Sequence, residues 1–94
     1  MDKQHYRLIL YINGSSRKSI NAIDNLNKYC EEHLKDSYTI EIVDLLKRPD
    51  LAAADQIFAT PTLIKKLPDP IKILIGDLSR EKDFLVGLNL LKSI

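Results

Sequence analysis

Tyr6 to Ile12 reads Tyr-Arg-Leu-Ile-Leu-Tyr-Ile, apolar at every position but Arg7. A short apolar run of this kind predicts a strand, and its near-continuous character suits a central strand covered on both faces. Asn13-Gly14-Ser15-Ser16 then stops the run with turn residues, and Ser15 or Ser16 is placed to cap a helix. Ile20, Ile23, Leu26, Cys30 and Leu34 follow at spacings of three and four, which predicts a helix over 16–34. In the segment from Tyr38 to Leu46, Ile40 and Ile42 alternate with Glu41, so a second strand is predicted there. Strand, long helix and strand make a βαβ unit with parallel strands and a right-handed crossover.

The second half reads differently. Pro49 suits a first helical position, and 49–57 predicts a short helix with Ile57 and Phe58 closing it onto the core. Thr62 to Lys66 predicts a strand with Pro61 at its start, since proline cannot donate into a ladder. Leu67-Pro68-Asp69-Pro70 is a turn, and Ile71 to Ile75 completes an antiparallel hairpin. Ser79 is a candidate cap for a last helix, with Phe84, Leu85, Leu88, Leu91 and Ile94 on one face. This last segment also carries a period-two pattern, in which Phe84, Val86, Leu88 and Leu90 share a face. Gly87 and Asn89 weaken a helix there. Helix and strand therefore compete between 79 and 94.

The order βαβ-α-ββα, with Thr60-Pro61 before the third strand, resembles the thioredoxin-like α/β plan in one domain, 1–94. In that plan the loop after the first strand carries the reactive thiol. Here the loop is Asn13-Gly14-Ser15-Ser16-Arg17-Lys18-Ser19, without cysteine. Disulfide exchange needs a thiolate. The single cysteine, Cys30, sits on the apolar stripe of the first helix, where a small buried hydrophobe is expected. Ser15 or Ser16 could serve a glutathione-binding enzyme of serine type, and ordinary helix capping is the plainer reading. His5 and His33 lack the convergent partners of a metal site. No phosphate-cradling loop or nucleophile elbow is present, and no cofactor is expected.

Composition narrows the choice further. The 94 residues are 45% apolar and 29% charged, with 14 basic against 13 acidic residues, a globular balance near neutrality. Nucleic-acid binding is not expected from such a charge, and no apolar run reaches the roughly 18 residues of a membrane span. A single thiol and an N-terminus without an apolar leader suit a reducing cytoplasm. A protein that acts by binding is the expectation.

Specific segments sharpen that expectation. Leu63-Ile64-Lys65-Lys66-Leu67-Pro68-Asp69-Pro70 and Ile75-Gly76-Asp77-Leu78-Ser79 resemble the KaiB family of clock-associated proteins. So do Ala59-Thr60-Pro61-Thr62-Leu63, Tyr6 to Gly14, and Gly87-Leu88-Asn89-Leu90-Leu91, and the similarity runs along nearly the whole chain. The resemblance implies a non-enzymatic protein that binds the N-terminal ATPase ring of a KaiC-type kinase and helps sequester KaiA. It implies two folds: a ground-state βαββααβ fold, usually tetrameric, and a monomeric thioredoxin-like fold that binds KaiC. Pro61, Pro68 and Pro70 match family prolines implicated in the switch, and Tyr6, Gly87 and Asn89 match positions that bias it. Asp69 inside the proline run, Lys72-Ile73 after it, and the lack of an acidic tail mark a divergent member. The thioredoxin-like fold is preferred for this chain, with the ground-state fold in a dimer or tetramer as the alternative. The edge of the βαβ unit and the second helix are the expected binding face. A role in stress adaptation, without a clock, is the further alternative.

Overall fold

The computed structural model describes residues 5–90. Its elements are β1 (Tyr6–Ile12), α1 (Arg17–His33), β2 (Tyr38–Asp44), α2 (Asp50–Ala54), β3 (Thr62–Leu67), β4 (Lys72–Ile75) and α3 (Glu81–Gly87). The four strands form one sheet in the order β2-β1-β3-β4. β1 pairs parallel to β2 and antiparallel to β3, and β3 pairs antiparallel to β4. The apolar run of β1 is thus the covered inner strand expected of it. Leu8, Leu10 and Ile12 face one side, with Leu26, Cys30 and Phe84 of the two longer helices. Ile9 and Tyr11 face the other, with Val43, Ile64, Leu51 and Ile57. Leu8, Leu10, Leu26, Leu63 and Leu88 are each no more than 1% exposed. Burying one such side chain stabilises the fold by about 1.5–3 kcal/mol.

α1 starts where the serines predict. The Ser16 Oγ accepts the Ser19 N–H at 3.2 Å, and its hydroxyl donates to the Ser19 Oγ at 2.9 Å. Replacing Ser16 by alanine should cost about 1 kcal/mol, the usual worth of such a cap. Thermal melting should then fall by about 4–8 °C. An unchanged midpoint would show that the cap contributes nothing.

The buried face of α1 is turned from the one expected. Ser19, Ala22, Leu26, Tyr29 and Cys30 are buried, whereas Ile20 is 47% exposed. A period of 3.6 through Leu26 passes close to 19, 22, 29 and 30, and Ile20 falls about 120° away. Ser19 can be buried because its Oγ also accepts the Asn13 N–H at 3.1 Å. β2 ends at Asp44 and not at Leu46. The Asp44 carboxylate accepts the N–H groups of Leu46 and Gly14, at 3.0 and 2.9 Å, and turns the chain away from the sheet. α2 is shorter than 49–57 and Pro49 stands just before it as its cap residue. Ile57 packs on the core, but Phe58 is 92% exposed and does not close the helix onto it.

Residues 81–87 are helical, so the period-two pattern does not decide this segment. Arg80, not Ser79, occupies the cap position, without a side-chain bond. The Ser79 N–H donates instead to the Asp77 carboxylate at 3.1 Å. Asn89 has φ 64, its N–H donates to the Val86 carbonyl, and the Leu90 N–H donates to the Leu85 carbonyl. This is a left-handed helix stop, a conformation asparagine tolerates better than most residues. Asn89 therefore ends the helix where sequence alone reads it as a weak helix former. Leu91 and Ile94 lie outside the described residues.

The α1–α3 seam joins the two halves. Tyr29 and Phe84 stack with ring centroids 4.9 Å apart. The Tyr29 hydroxyl donates to the Leu78 carbonyl at 2.7 Å, and the Asn25 amide donates to the Asp77 carbonyl at 2.9 Å.

Candidate interaction surface

The thiol chemistry of the thioredoxin-like plan has no support in the site geometry. Cys30 is fully buried, and burial pushes its thiol up to about 12, far from thiolate at neutral pH. In the loop after β1, the Ser16 hydroxyl is spent on its cap and on Ser19. The serine reading thus keeps capping as the role of Ser16.

The histidines have partners that sequence spacing did not reveal. His5 Nε2 lies 2.6 Å from Thr39 Oγ1. His33, in the last turn of α1, lies 2.7 Å from Glu81 Oε2 in the first turn of α3. With Glu32 their donor atoms fall within 4.8 Å of one another, all on exposed residues. The hydrogen bond from His33 holds the Glu81 carboxyl below its ordinary 4.5. A carboxylate depressed in the folded state adds stability above its unfolded value, and loses it as pH falls through the folded one. The stability gap between the wild type and Glu81→Gln should therefore be present near about pH 6 and close as pH drops below about 4.5. Denaturation midpoints across that range check it, and a gap that widens in acid contradicts the pairing.

The six switch candidates do not form one pocket. Tyr6 begins β1 at the sheet end where Arg7 pairs with Leu67, so it shares that end with Pro68 and Pro70 in the β3–β4 turn. Pro61 is buried at the opposite end, where its carbonyl accepts the Gly76 N–H at 2.9 Å. The peptide bonds before Pro61, Pro68 and Pro70 are cis. Gly87 ends α3 against β4, where a Cβ would stand 2.3 Å from Leu74 Cδ2. Any side chain at this position must displace Leu74, so glycine is what lets α3 lie close on β4. Asn89 follows as the helix stop.

Sequence reading missed Lys65. It is 2% exposed, with its Nζ 5.9 Å from the Tyr6 ring centroid. Its four-carbon stem packs inside while the ammonium reaches the rim. Burial, then the neighbouring Lys72 charge, lowers its pKa. A lysine inside an apolar strand is visible in Leu-Ile-Lys-Lys-Leu only after the register is known.

A second cluster surrounds α2. The Tyr11 hydroxyl donates to the Asp55 carboxylate at 2.7 Å and fastens the end of α2 to β1. Burial and that bond push Tyr11 up to about 12. Arg48 holds Asp50 at 3.1 Å, which keeps the Asp50 carboxyl below its usual range. A shallow groove runs between Ile42, Lys47, Arg48 and Leu51. Ile42 of its lining is 42% exposed and Leu46, next to Lys47 in the chain, 68%, while Phe58, in the loop after α2, is 92% exposed. This face carries apolar groups beside Lys47 and the Arg48–Asp50 pair, with Glu41 and Asp44 also lining the groove.

Comparison with known proteins gives the whole chain a context. A family model described as the KaiB domain matches residues 9–90. The chain belongs to the KaiB family. It is 44% identical over 90 residues to the circadian clock protein KaiB3 of a Synechocystis species, covering 96% of this chain and 88% of that one. It is also 44% identical over 89 residues to the circadian clock oscillator protein KaiB of Thermostichus vulcanus, covering 95% and 82%. Among solved structures, it is similar to the N-terminal domain of Synechococcus elongatus SasA. The TM-score is 0.74 at 15% identity, covering 100% of this chain and 92% of that one. Chloroplastic thioredoxin z is similar at a TM-score of 0.76 and 15% identity, covering 94% and 80%. These structural likenesses establish the thioredoxin-like fold for this KaiB chain, as its strand order also does. Among the described residues, no helix of this KaiB protein is long and apolar enough to cross a membrane.

Proposed function

We propose that this chain is a non-enzymatic regulatory protein that binds the N-terminal ATPase ring of a KaiC-type ATPase. The observation that carries this reading is the 44% identity to clock oscillator KaiB proteins along nearly the full chain. The binding face is the edge of β2, the turn after Asp44, α2 and Phe58, where apolar groups stand open beside Lys47 and Arg48. A KaiA-like protein is the second partner. Binding favours the thioredoxin-like arrangement over the ground-state one, with Tyr6, Pro61, Pro68, Pro70, Gly87 and Asn89 setting the balance. The buried thiol and the engaged Ser16 hydroxyl support a role without catalysis.

The experiment is size-exclusion light scattering of the protein mixed with the KaiC-type ATPase of the same genome. A complex with the isolated N-terminal ring supports the reading. Lack of a complex overturns it and leaves the stress-adaptation role as the alternative. Glutathione binding abolished by Ser15→Ala or Ser16→Ala would overturn the non-enzymatic role.

A further inference from the structure

β4 is the last strand of the sheet, and its outer edge carries a row of isoleucines. Ile71, Ile73 and Ile75 are 56%, 59% and 70% exposed. The direction of the main chain along this edge follows from one hydrogen bond. β4 pairs with β3 as Thr62 with Ile75 and Ile64 with Ile73, which sets Pro61 opposite Gly76. The Gly76 N–H donates to the Pro61 carbonyl, so that pair is a hydrogen-bonded one. Such pairs alternate along an antiparallel ladder. Leu74 and Lys72 therefore turn their main-chain groups toward β3. Ile71, Ile73 and Ile75 turn theirs outward. The residues with open main-chain groups are the residues with open apolar side chains.

We propose that two copies of this chain pair through β4, antiparallel, about a twofold axis at Ile73. In that register Ile73 meets Ile73, and Ile71 meets Ile75. Each is a hydrogen-bonded pair, so the interface closes about six main-chain bonds. All six isoleucine side chains fall on one face, as an extension of the buried Ile64 and Ile9. Lys72 meets Leu74 on the opposite face, so no like charges are opposed. The neighbouring registers of the same parity are worse. A two-residue shift one way sets Lys72 against Lys72, and the other way sets Ile71 against Asp77. This self-complementarity favours a second copy over a foreign strand. The family resemblance ties this fold to a monomer, and the β4 edge departs from it. The β2 edge lies at the other end of the sheet order, so the paired form leaves that edge open to the ATPase.

Light scattering of the full chain over a concentration series reaching millimolar tests the pairing. The mass should rise from 10.8 kDa toward twice that value. Ile73→Lys and Ile73→Glu should each remain monomeric with an unchanged circular dichroism spectrum. An equal mixture of the two should restore the dimer, because lysine then meets glutamate across the axis. Ile42→Lys, on the opposite edge, should dimerise as the wild type does. In the wild type, the amides of Ile71, Ile73 and Ile75 should gain exchange protection with concentration, a readout that needs no variant. A wild-type chain monomeric throughout overturns the proposal. So does a tetramer, a dimer that survives Ile73→Lys, or a mixture of charge variants that stays monomeric.

Discussion

Phe84→Ala should destabilise the protein by about 3–5 kcal/mol, the range for removing a buried aromatic ring. Phe84 is 1% exposed and stacks on Tyr29, so its loss opens a cavity at the seam between α1 and α3. A domain of this length holds roughly 5–14 kcal/mol in total, so the loss approaches half of it. Melting should fall by at least about 12 °C. Hydrogen exchange should show where: amides of 81–90 lose protection first, while those of β1 keep theirs longest. Val86, on the same helix, is 56% exposed. Val86→Ala should stay within about 0.5 kcal/mol. Equal costs at 84 and 86 would contradict the packing of α3 described above.

Phe58→Ala should do the reverse, sparing stability and harming association. The ring is 92% exposed, so its removal should shift folding stability by less than about 0.5 kcal/mol. Exposed aromatics are typical anchors of protein interfaces, and truncating one costs at least about 1.4 kcal/mol of binding. Affinity for the KaiC-type ATPase ring should therefore drop tenfold or more. Titration calorimetry against the isolated ring, with melting curves of the free variant, separates the two effects. Wild-type affinity in Phe58→Ala would move the binding face away from α2. Ile57→Ala is the informative neighbour, because Ile57 packs on the sheet and its loss should cost stability instead.

Much of this architecture can be read from the chain before its shape is known. Leu8–Ile12 carries an unbroken apolar run because both faces of β1 are covered, and only an inner strand needs that. The hairpin of β3 and β4 is legible because Pro68 and Pro70 exclude regular structure between two apolar runs. What fails is information held by other parts of the chain. The helical stripe counted from Ile20 is a good amphipathic pattern, yet Ser19 takes the inner place because Asn13 and Ser16 satisfy its hydroxyl. Ser79 has the chemistry of a cap, but Asp77 captures its N–H first. Phe58 has the composition of a core residue and lies outside. Of the candidate surface, the region around α2 was expected, whereas Lys65 and the open edge of β4 depend on register. Register is set by pairing between segments and is not written in either one.

The two hydrogen bonds from α1 to the loop before α3 have a consequence for sequence tolerance. Asn25 and Tyr29 both donate to main-chain carbonyls, those of Asp77 and Leu78. The first half of the molecule thus reads the route taken by the second half and not its spelling. A loop with other residues at 77 and 78, following the same route, would be accepted by the same two donors. The vocabulary at 77 and 78 answers to other constraints, the Ser79 N–H that Asp77 accepts and the core in which Leu78 is buried, while the grammar of the path is kept by positions 25 and 29.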